Sequence, residues 1–251
     1  MTVPRDDSAV DSDLPRPKLA WAFLLDVDGT LVDIGPTPRG VQVPSSSRAV
    51  IDALFAATGG AVALVTGRAL SDFYYLYPRC KIPLSGQHGV EWRNVDGLGK
   101  EVCARIERLD PAREVLTMGV SGRPGLLLED KGFTIALHYR LVPGLSAFSH
   151  RLMRSAQKAV GEEFVVQRGK SVIELKPAAV NKGQAVLRLM SLTPFSGRRP
   201  VFVGDDVTDE DAFCAVNQLG GVSIKIGRGR TRARWRLHNT SELLRWLTTA
   251  E

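Results

Sequence analysis

The stretch 24-LLDVDGTLVDI-34 closes an apolar run with two carboxylates, Asp26 and Asp28, one residue apart. A buried strand that ends on two mutually repelling acids needs a reason. Asp and Gly are ordinary turn residues, so a simple turn accounts for "DGT" taken alone. The other reading is that a cation, and a group to be attacked, lies between the acids. The rest of the chain decides.

Working outward, similar apolar runs recur at 20-AWAFLLD-26, 61-AVALVTG-67, 200-PVFVGDD-206 and 222-VSIKIG-227, each ending in small or polar residues. Between them, 46-SSRAVIDALFAAT-58 and 181-NKGQAVLRLMSL-192 carry apolar residues at helical spacing. Strands that alternate with helices predict an α/β domain, its mainly parallel sheet covered on both faces. Ligands of such sheets gather at the carboxyl ends of the strands. Asp26, Thr66, Asp205 and Asp206 all fall there.

The middle of the chain has another pattern. A polar, Gly-rich passage, 85-SGQHGVEWRNVDGLGK-100, precedes a helical stretch over about 105–120. Two strands then read from 125-GLLLEDKGFTIALHYR-140, broken at Asp130–Gly132. A helix over 145–160 and a hairpin, 164-FVVQRGKSVIELK-176, turning at Gly169, complete an α+β unit inserted into the parallel domain. The expected division is a disordered leader over 1–17, an α/β core over 18–104 and 179–251, and an α+β cap over 105–178.

Composition narrows the function classes. The 251 residues are 44% hydrophobic and 24% charged, ordinary for a soluble globular protein. No apolar run approaches the roughly 20 residues of a membrane span. The first residues, MTVPRDDSAVDSDLPRPKL, are acidic and contain Pro, without the basic and apolar segments of a signal peptide. Cys80, Cys103 and Cys214 are widely separated and odd in number, which suggests neither a disulfide framework nor a zinc site. A cytoplasmic protein is expected. The net charge of +6 owes much to 225-KIGRGRTRARWR-236. No nucleic-acid module or stacking aromatic series accompanies it, so a solvated basic loop is the reading and no nucleic-acid partner is expected. A positive field also suits an anionic substrate.

Four signals at element ends then read together: DVDGT, Thr66 in "LVTGR", Lys182 in "NKG", and the acidic turn 204-GDDVTDEDAF-213. Jointly they supply a nucleophile, a second carboxylate for proton traffic, cationic and hydroxyl clamps, and metal ligands, the parts of phosphoryl transfer.

This pattern resembles the haloacid dehalogenase superfamily, and within it the trehalose-6-phosphate phosphatase family. The blocks "LDVDGTL", "LVTGR", "LSGQHGVEWR", "LEDKGFTIALHYR", "QRGKSVIELKP", "NKG", "PVFVGDDVTDEDAF", "GGVSIKIG" and "WRL" occur in that family's order across about residues 19–247. The resemblance implies a Rossmann-like α/β core with an inserted α+β cap and Mg2+-dependent hydrolysis of trehalose 6-phosphate, the last step of trehalose biosynthesis. It makes Asp26 the nucleophile, through an aspartyl-phosphate, and Asp28 the general acid and base. Thr66 and Lys182 hold the phosphate oxygens. Mg2+ is held by the Asp26 side chain, the Asp28 carbonyl and Asp205, while Asp206 and Asp209 hold a water of the ion or orient Asp205 and Lys182. Glu129, Lys131 and Glu174 face the distal glucose, and Gly67 and Lys170 join the substrate-binding set.

Some residues keep two readings. Arg68 contacts phosphate or is a structural clamp; His88 and Glu91 line the sugar pocket or form a packed polar loop. Asp33 reads as a structural hydrogen-bonder, and structural roles are expected for His138 and Arg140. Relatives acting on sucrose phosphate or mannosyl-3-phosphoglycerate are the nearest enzyme alternatives, and a non-enzymatic sugar-phosphate sensor is another class. A pure binder has no need of a nucleophile, which favours the enzyme. A small sugar phosphate is the expected partner, with no membrane and no obligate protein partner.

Overall fold

Ala22, Phe23, Leu24 and Leu25 have no exposed surface. Successive side chains of a strand point to opposite faces, so such a strand belongs inside a parallel sheet with helices on both sides. The computed structural model describes residues 13–35, 41, 43–93, 100–102 and 109–251, with backbone alone for 100–102.

In chain order the elements are β1 (Ala22–Leu25), α1 (Ser45–Ala57), β2 (Val62–Val65), α2 (Leu70–Leu76), β3 (Leu84–Gly86), β4 (Glu91–Arg93) and β5 (Lys100–Val102). Then come α3 (Asp110–Val120), β6 (Leu127–Asp130), β7 (Ile135–His138), α4 (Ser146–Val160), β8 (Phe164–Gly169) and β9 (Val172–Pro177). The chain closes with α5 (Lys182–Met190), β10 (Pro200–Gly204), α6 (Glu210–Gln218), β11 (Val222–Ile226), β12 (Trp235–Leu237) and α7 (Thr240–Thr248). It divides into two compact units, Met1–Glu101 with Lys182–Glu251, and Val102–Asn181.

In the first unit the sheet order is β12-β11-β10-β1-β2-β3-β4-β5. Neighbours from β12 to β3 run parallel, and β4 turns back against β3. Phe23 and Leu25 pack in a cluster with Ile51 and Leu54 of α1, Phe73 of α2 and Leu243 of α7. Ala22 and Leu24 pack on the opposite face with Val186 and Leu189 of α5 and Phe213 of α6. Full burial of a side chain such as Phe23 contributes roughly 1.5–3 kcal/mol, and Phe23→Ala would cost about 3–5 kcal/mol by adding a cavity. The expected strands and helices are found within about two residues of their bounds, the usual slack of their ends, except that the helix expected from about 105 begins at Asp110, with 105–108 outside the described residues.

Two expectations are corrected here. The passage over 85–100 is not only loop: Leu84–Gly86 and Glu91–Arg93 are strands, with Leu84 opposite Arg93 and Gly86 opposite Glu91. They extend the sheet by pairing, and at three residues each they are too short to show a pattern of alternating side chains. The second hairpin turns at Lys170 and Ser171 rather than at Gly169, with Ser171 taking the positive φ, 64°.

Residues 13–17 of the expected leader are described. Trp246 Nε1 donates to the Pro15 carbonyl at 3.0 Å, and the Glu251 N–H donates to the carbonyl of the buried Pro17. Residues 1–12, Cys103 and the boundary expected at 104/105 lie outside the described residues. No described helix is long and apolar enough to cross a membrane.

The second unit is an antiparallel sheet, β6-β7-β9-β8, backed by α3 and α4. Ile135, Leu137, Ile173 and Leu175 pack with Leu116 of α3 and Met153 of α4. Met153 and Ala156 follow Ser149 at helical spacing, and all three are buried. Alternation leaves the other sheet face to a row in register across four strands: Glu129, Ala136, Glu174 and Gln167.

Candidate active site

The chain beyond β1 cannot continue straight, because Gly29 takes φ +80°, a left-handed turn that glycine enters without strain. A Cβ at Gly29 would lie 2.2 Å from Asp205 Oδ2, so only glycine lets the Asp205 carboxylate sit there. The same turn brings Thr30 back, and its Oγ1 donates to Asp26 Oδ2 at 3.1 Å. Asp26 is 3% exposed.

Lys182 opens α5 and is equally buried. Its Nζ donates to Asp26 Oδ1 at 2.6 Å and to Asp209 Oδ1 at 2.6 Å. Asp209, wholly buried, accepts the Asp206 N–H on Oδ2 at 2.9 Å. The Asp206 side chain accepts from Val207 N–H at 2.8 Å and so caps the short 3-10 turn Val207–Asp209. Asp26, Asp205 and Asp209 each bring a carboxylate oxygen within 4.8 Å of the others. The side chains of Asp28 and Asp206 are not in that group.

The electrostatics follow from burial and like charge. Burial raises the Asp26 carboxyl well above the usual range; Lys182 opposes this, and Asp209 and Asp205 reinforce it. Asp205 is pushed up to about 7, first by burial and then by Asp209 and Asp206. Burial alone would lower Lys182, but Asp209 and Asp26 outweigh it and hold the ammonium well above the usual lysine range. Lys182 pairs with Asp26 and Asp209, and Lys225 acts on Asp205 from its carbonyl; three carboxylates against two ammonium groups leave the group short of positive charge. An all-oxygen donor set with that deficit fits a hard divalent cation. Each carboxylate oxygen can accept more than one partner, so the bonds to Lys182 and Thr30 leave Asp26 able to ligate.

Thr66 follows β2 and is buried. Its Oγ1 accepts the Arg68 N–H at 3.1 Å, and its carbonyl accepts the His88 N–H at 3.0 Å. A Cβ at Gly67 would lie 2.7 Å from His88 Nε2, so the imidazole rests against that glycine. Gln87 and His88 both take positive φ, 45° and 59°. Such strain in residues other than glycine persists only when surroundings fix it, and it clusters at functional sites. Here Glu91 Oε2 accepts from Gln87 Nε2 and from Leu70 N–H, both at 2.9 Å. Arg68 grips Asp28 with Nε to Oδ2 at 2.6 Å and Nη2 to Oδ1 at 2.5 Å. It is thus a clamp on Asp28.

In the second unit Glu174 Oε1 accepts Lys131 Nζ at 3.0 Å and Thr134 Oγ1 at 2.6 Å. Glu129 Oε2 and His138 Nε2 lie 2.7 Å apart. Burial would raise Glu129, but the His138 hydrogen bond and the Lys131 charge outweigh it and hold the carboxyl below its usual value. Glu129, Lys131, Glu174 and His138 therefore share one sheet face. Lys170 does not join them: it is exposed at the β8–β9 turn, where its carbonyl accepts from Arg140 Nη2 at 3.0 Å.

Sequence reasoning passed over Thr30 and Lys225. Thr30 stood inside the quoted motif, four residues after Asp26. Lys225 had a signal too, as the one charge in the apolar run 222-VSIKIG-227. It is 4% exposed, and its Nζ donates to the Asp205 carbonyl.

The comparisons with known proteins agree in direction. A family model described as trehalose-phosphatase matches residues 24–241. A protein of Sinorhizobium fredii named probable trehalose-phosphate phosphatase is 43% identical over 222 residues, covering 88% of this chain and 81% of that protein. The trehalose-6-phosphate phosphatase of Escherichia coli K12 is 40% identical over 232 residues, covering 92% and 85%. The C-terminal domain of the C. albicans trehalose-6-phosphate phosphatase shares the fold, with TM-score 0.81 at 22% identity over 94% of this chain and 98% of that one.

Proposed function

The chain belongs to the trehalose-phosphatase family, and from that premise we propose that it hydrolyses trehalose 6-phosphate to trehalose and inorganic phosphate. The observation that carries the proposal is the buried Asp26 carboxylate at the end of β1, oriented by Lys182 and Thr30 beside Asp205.

In this reading Asp26 attacks phosphorus, the bond to the sugar oxygen breaks, and Asp28 gives its proton to the departing oxygen. Asp28 then takes a proton from water, which attacks the aspartyl-phosphate, releases phosphate and returns the Asp26 carboxylate. Thr66 and Lys182 hold the nonbridging oxygens as charge redistributes. Mg2+ is the proposed cation, held by the Asp26 and Asp205 carboxylates and the Asp28 carbonyl. Bound there, it would offset the repulsion between a carboxylate and an anionic phosphate. Asp209 takes the orienting role through its bond to Lys182.

Arg68 acts on Asp28, and Gly67 with His88 shapes the turn beside Thr66. The sugar is read by Glu129, Lys131 and Glu174; the Lys131–Glu174 hydrogen bond and the sheet face that Glu129 shares with them support one polar subsite. Lys170 is the member of the expected set least supported, given its exposed place at the turn. A cytoplasmic site of action suits the free thiols Cys80 and Cys214. A sugar phosphate is the partner proposed.

Phosphate release from trehalose 6-phosphate, measured after chelation and again after Mg2+ is restored, tests substrate and cation together. Activity only with Mg2+ is expected. No release from trehalose 6-phosphate, with ready hydrolysis of another sugar phosphate in a panel including sucrose phosphate and mannosyl-3-phosphoglycerate, would overturn the substrate.

A further inference from the structure

Lys225 belongs to β11 and lies opposite Gly204, the last residue of β10. A lysine in an interior parallel strand is costly, because both faces of such a strand are covered and an ammonium loses its water there. Lys225 is nonetheless 4% exposed. Its Nζ reaches past the end of β10 and donates to the main-chain carbonyl of Asp205.

The choice of acceptor is informative. Lys182, the other buried lysine of this region, takes carboxylate oxygens of Asp26 and Asp209 and so balances charge directly. A lysine placed only to balance charge would do the same. Lys225 instead holds the peptide from which the Asp205 side chain departs. The Asp205 carboxylate meets Gly29, where a Cβ would stand 2.2 Å from Oδ2. Asp205 is therefore fixed at both ends, its carbonyl by Lys225 and its carboxylate by the space that glycine leaves.

We propose that Lys225 is a positioning residue for the cation site, holding the Asp205 main chain so that its carboxylate stays within reach of Asp26. This rests on the reading of Asp205 as a cation ligand. The proposal has a sign that a simple charge effect lacks. A buried positive charge near the site repels a cation, so in a basic buffer that keeps the carboxylates ionised in every variant its removal by electrostatics alone would tighten cation binding. Loss of a positioning bond weakens it.

The test is calorimetric titration of Mg2+, in that basic buffer, into the full chain after chelator treatment, for wild type, Lys225→Met, Lys225→Arg and Asp205→Asn. Removing a group that orients a metal ligand typically costs roughly 10- to 100-fold in metal affinity, and that loss is expected for Lys225→Met with a native circular-dichroism spectrum. Lys225→Arg keeps a donor and is expected to restore most of the affinity. Equal or tighter Mg2+ binding by Lys225→Met would overturn the proposal. So would an arginine variant that folds yet restores nothing, since the loss would then be one of packing. If Lys225→Met does not fold, Lys225→Gln is read by the same criterion. Asp205→Asn separates the two readings. If it binds Mg2+ as wild type does, the cation site itself is misassigned and both fall; if it fails to bind while Lys225→Met binds normally, only the role of Lys225 falls.

Discussion

Arg68 and Asp28 form a two-pronged ion pair, with Nε at 2.6 Å and Nη2 at 2.5 Å from the two carboxylate oxygens. The pair spans 40 residues of sequence and fixes the plane of the Asp28 carboxylate. A fork meeting a carboxylate in this way gives direction as well as attraction, which lysine would not supply.

If Asp28 is the proton donor, Asp28→Asn loses roughly 100- to 10,000-fold in kcat on trehalose 6-phosphate. An aryl phosphate with an acidic leaving group needs no proton, so the loss there is far smaller. Arg68→Ala should follow the same pattern in weaker form. Equal losses on both substrates would instead make Arg68 a phosphate contact.

Lys182 sits between Asp26 and Asp209, and all three are buried. Lys182→Met removes the cation and leaves two carboxylates facing each other. Breaking a buried pair on one side costs about 3–5 kcal/mol of stability, readable by denaturant unfolding. The conservative Asp26→Asn should instead leave the fold intact while abolishing turnover and the acid-labile phosphoenzyme. Turnover above a few percent in a pure Asp26→Asn sample would remove Asp26 as nucleophile.

Asp205 ties stability to pH when no cation is bound. Its folded carboxyl lies at about 7, above the ordinary carboxylate range. The folded chain thus keeps a proton that the unfolded chain has already lost. This stabilisation is complete below the unfolded value and disappears as pH rises through about 7. The chelated protein should therefore melt lower at about pH 8 than at about pH 5.5, and Mg2+ should stabilise it more at the higher pH. Asp205→Asn should flatten the slope in differential scanning calorimetry; an unchanged slope would count against Asp205 as its source.

The cap residues give the sharpest reading of the sugar. Lys131 and Glu174 are joined at 3.0 Å, and Glu129 shares their sheet face. Loss of one charge-assisted bond to a hydroxyl costs about 1.5–3 kcal/mol, or roughly 10- to 150-fold in kcat/KM. Glu129→Ala, Lys131→Ala and Glu174→Ala should show that loss on trehalose 6-phosphate and almost none on a small aryl phosphate. A constant ratio of the two values in all three variants would detach these residues from recognition.

What could be read from the sequence has a physical boundary. β1, β2, β10 and β11 were legible because strands buried on both faces are written as unbroken apolar runs. The placement of Asp26, Thr66 and Asp205 after strands and of Lys182 at a helix start was legible because polar residues at the ends of apolar elements stand out. The three-residue strands β3 and β4 were not, since they draw their order from pairing and are too short to show an alternation. The Arg68–Asp28 clamp and the Glu129–His138 contact were also hidden. Both join residues on separate elements, and no local pattern records which side chains will meet.

The order of strands in the first sheet has a consequence at the ribosome. β1 finds β2 early, but its other neighbour is β10, and Ala22 must wait for Pro200. At about 5–20 residues per second, that wait is on the order of 10–35 s. Throughout it, the edge of β1 that pairs with β10 is open, and Ala22 and Leu24 still lack the cover of Phe213 from α6. The segment Val102–Asn181 is contiguous in sequence and emerges whole before β10 exists. A polypeptide halted after Asn181 would thus carry a finished α+β unit behind a half-built sheet whose Asp26 has not yet met Lys182. Such a product is a natural target for chaperones and proteases, and its lifetime is set by the stretch of chain still to come.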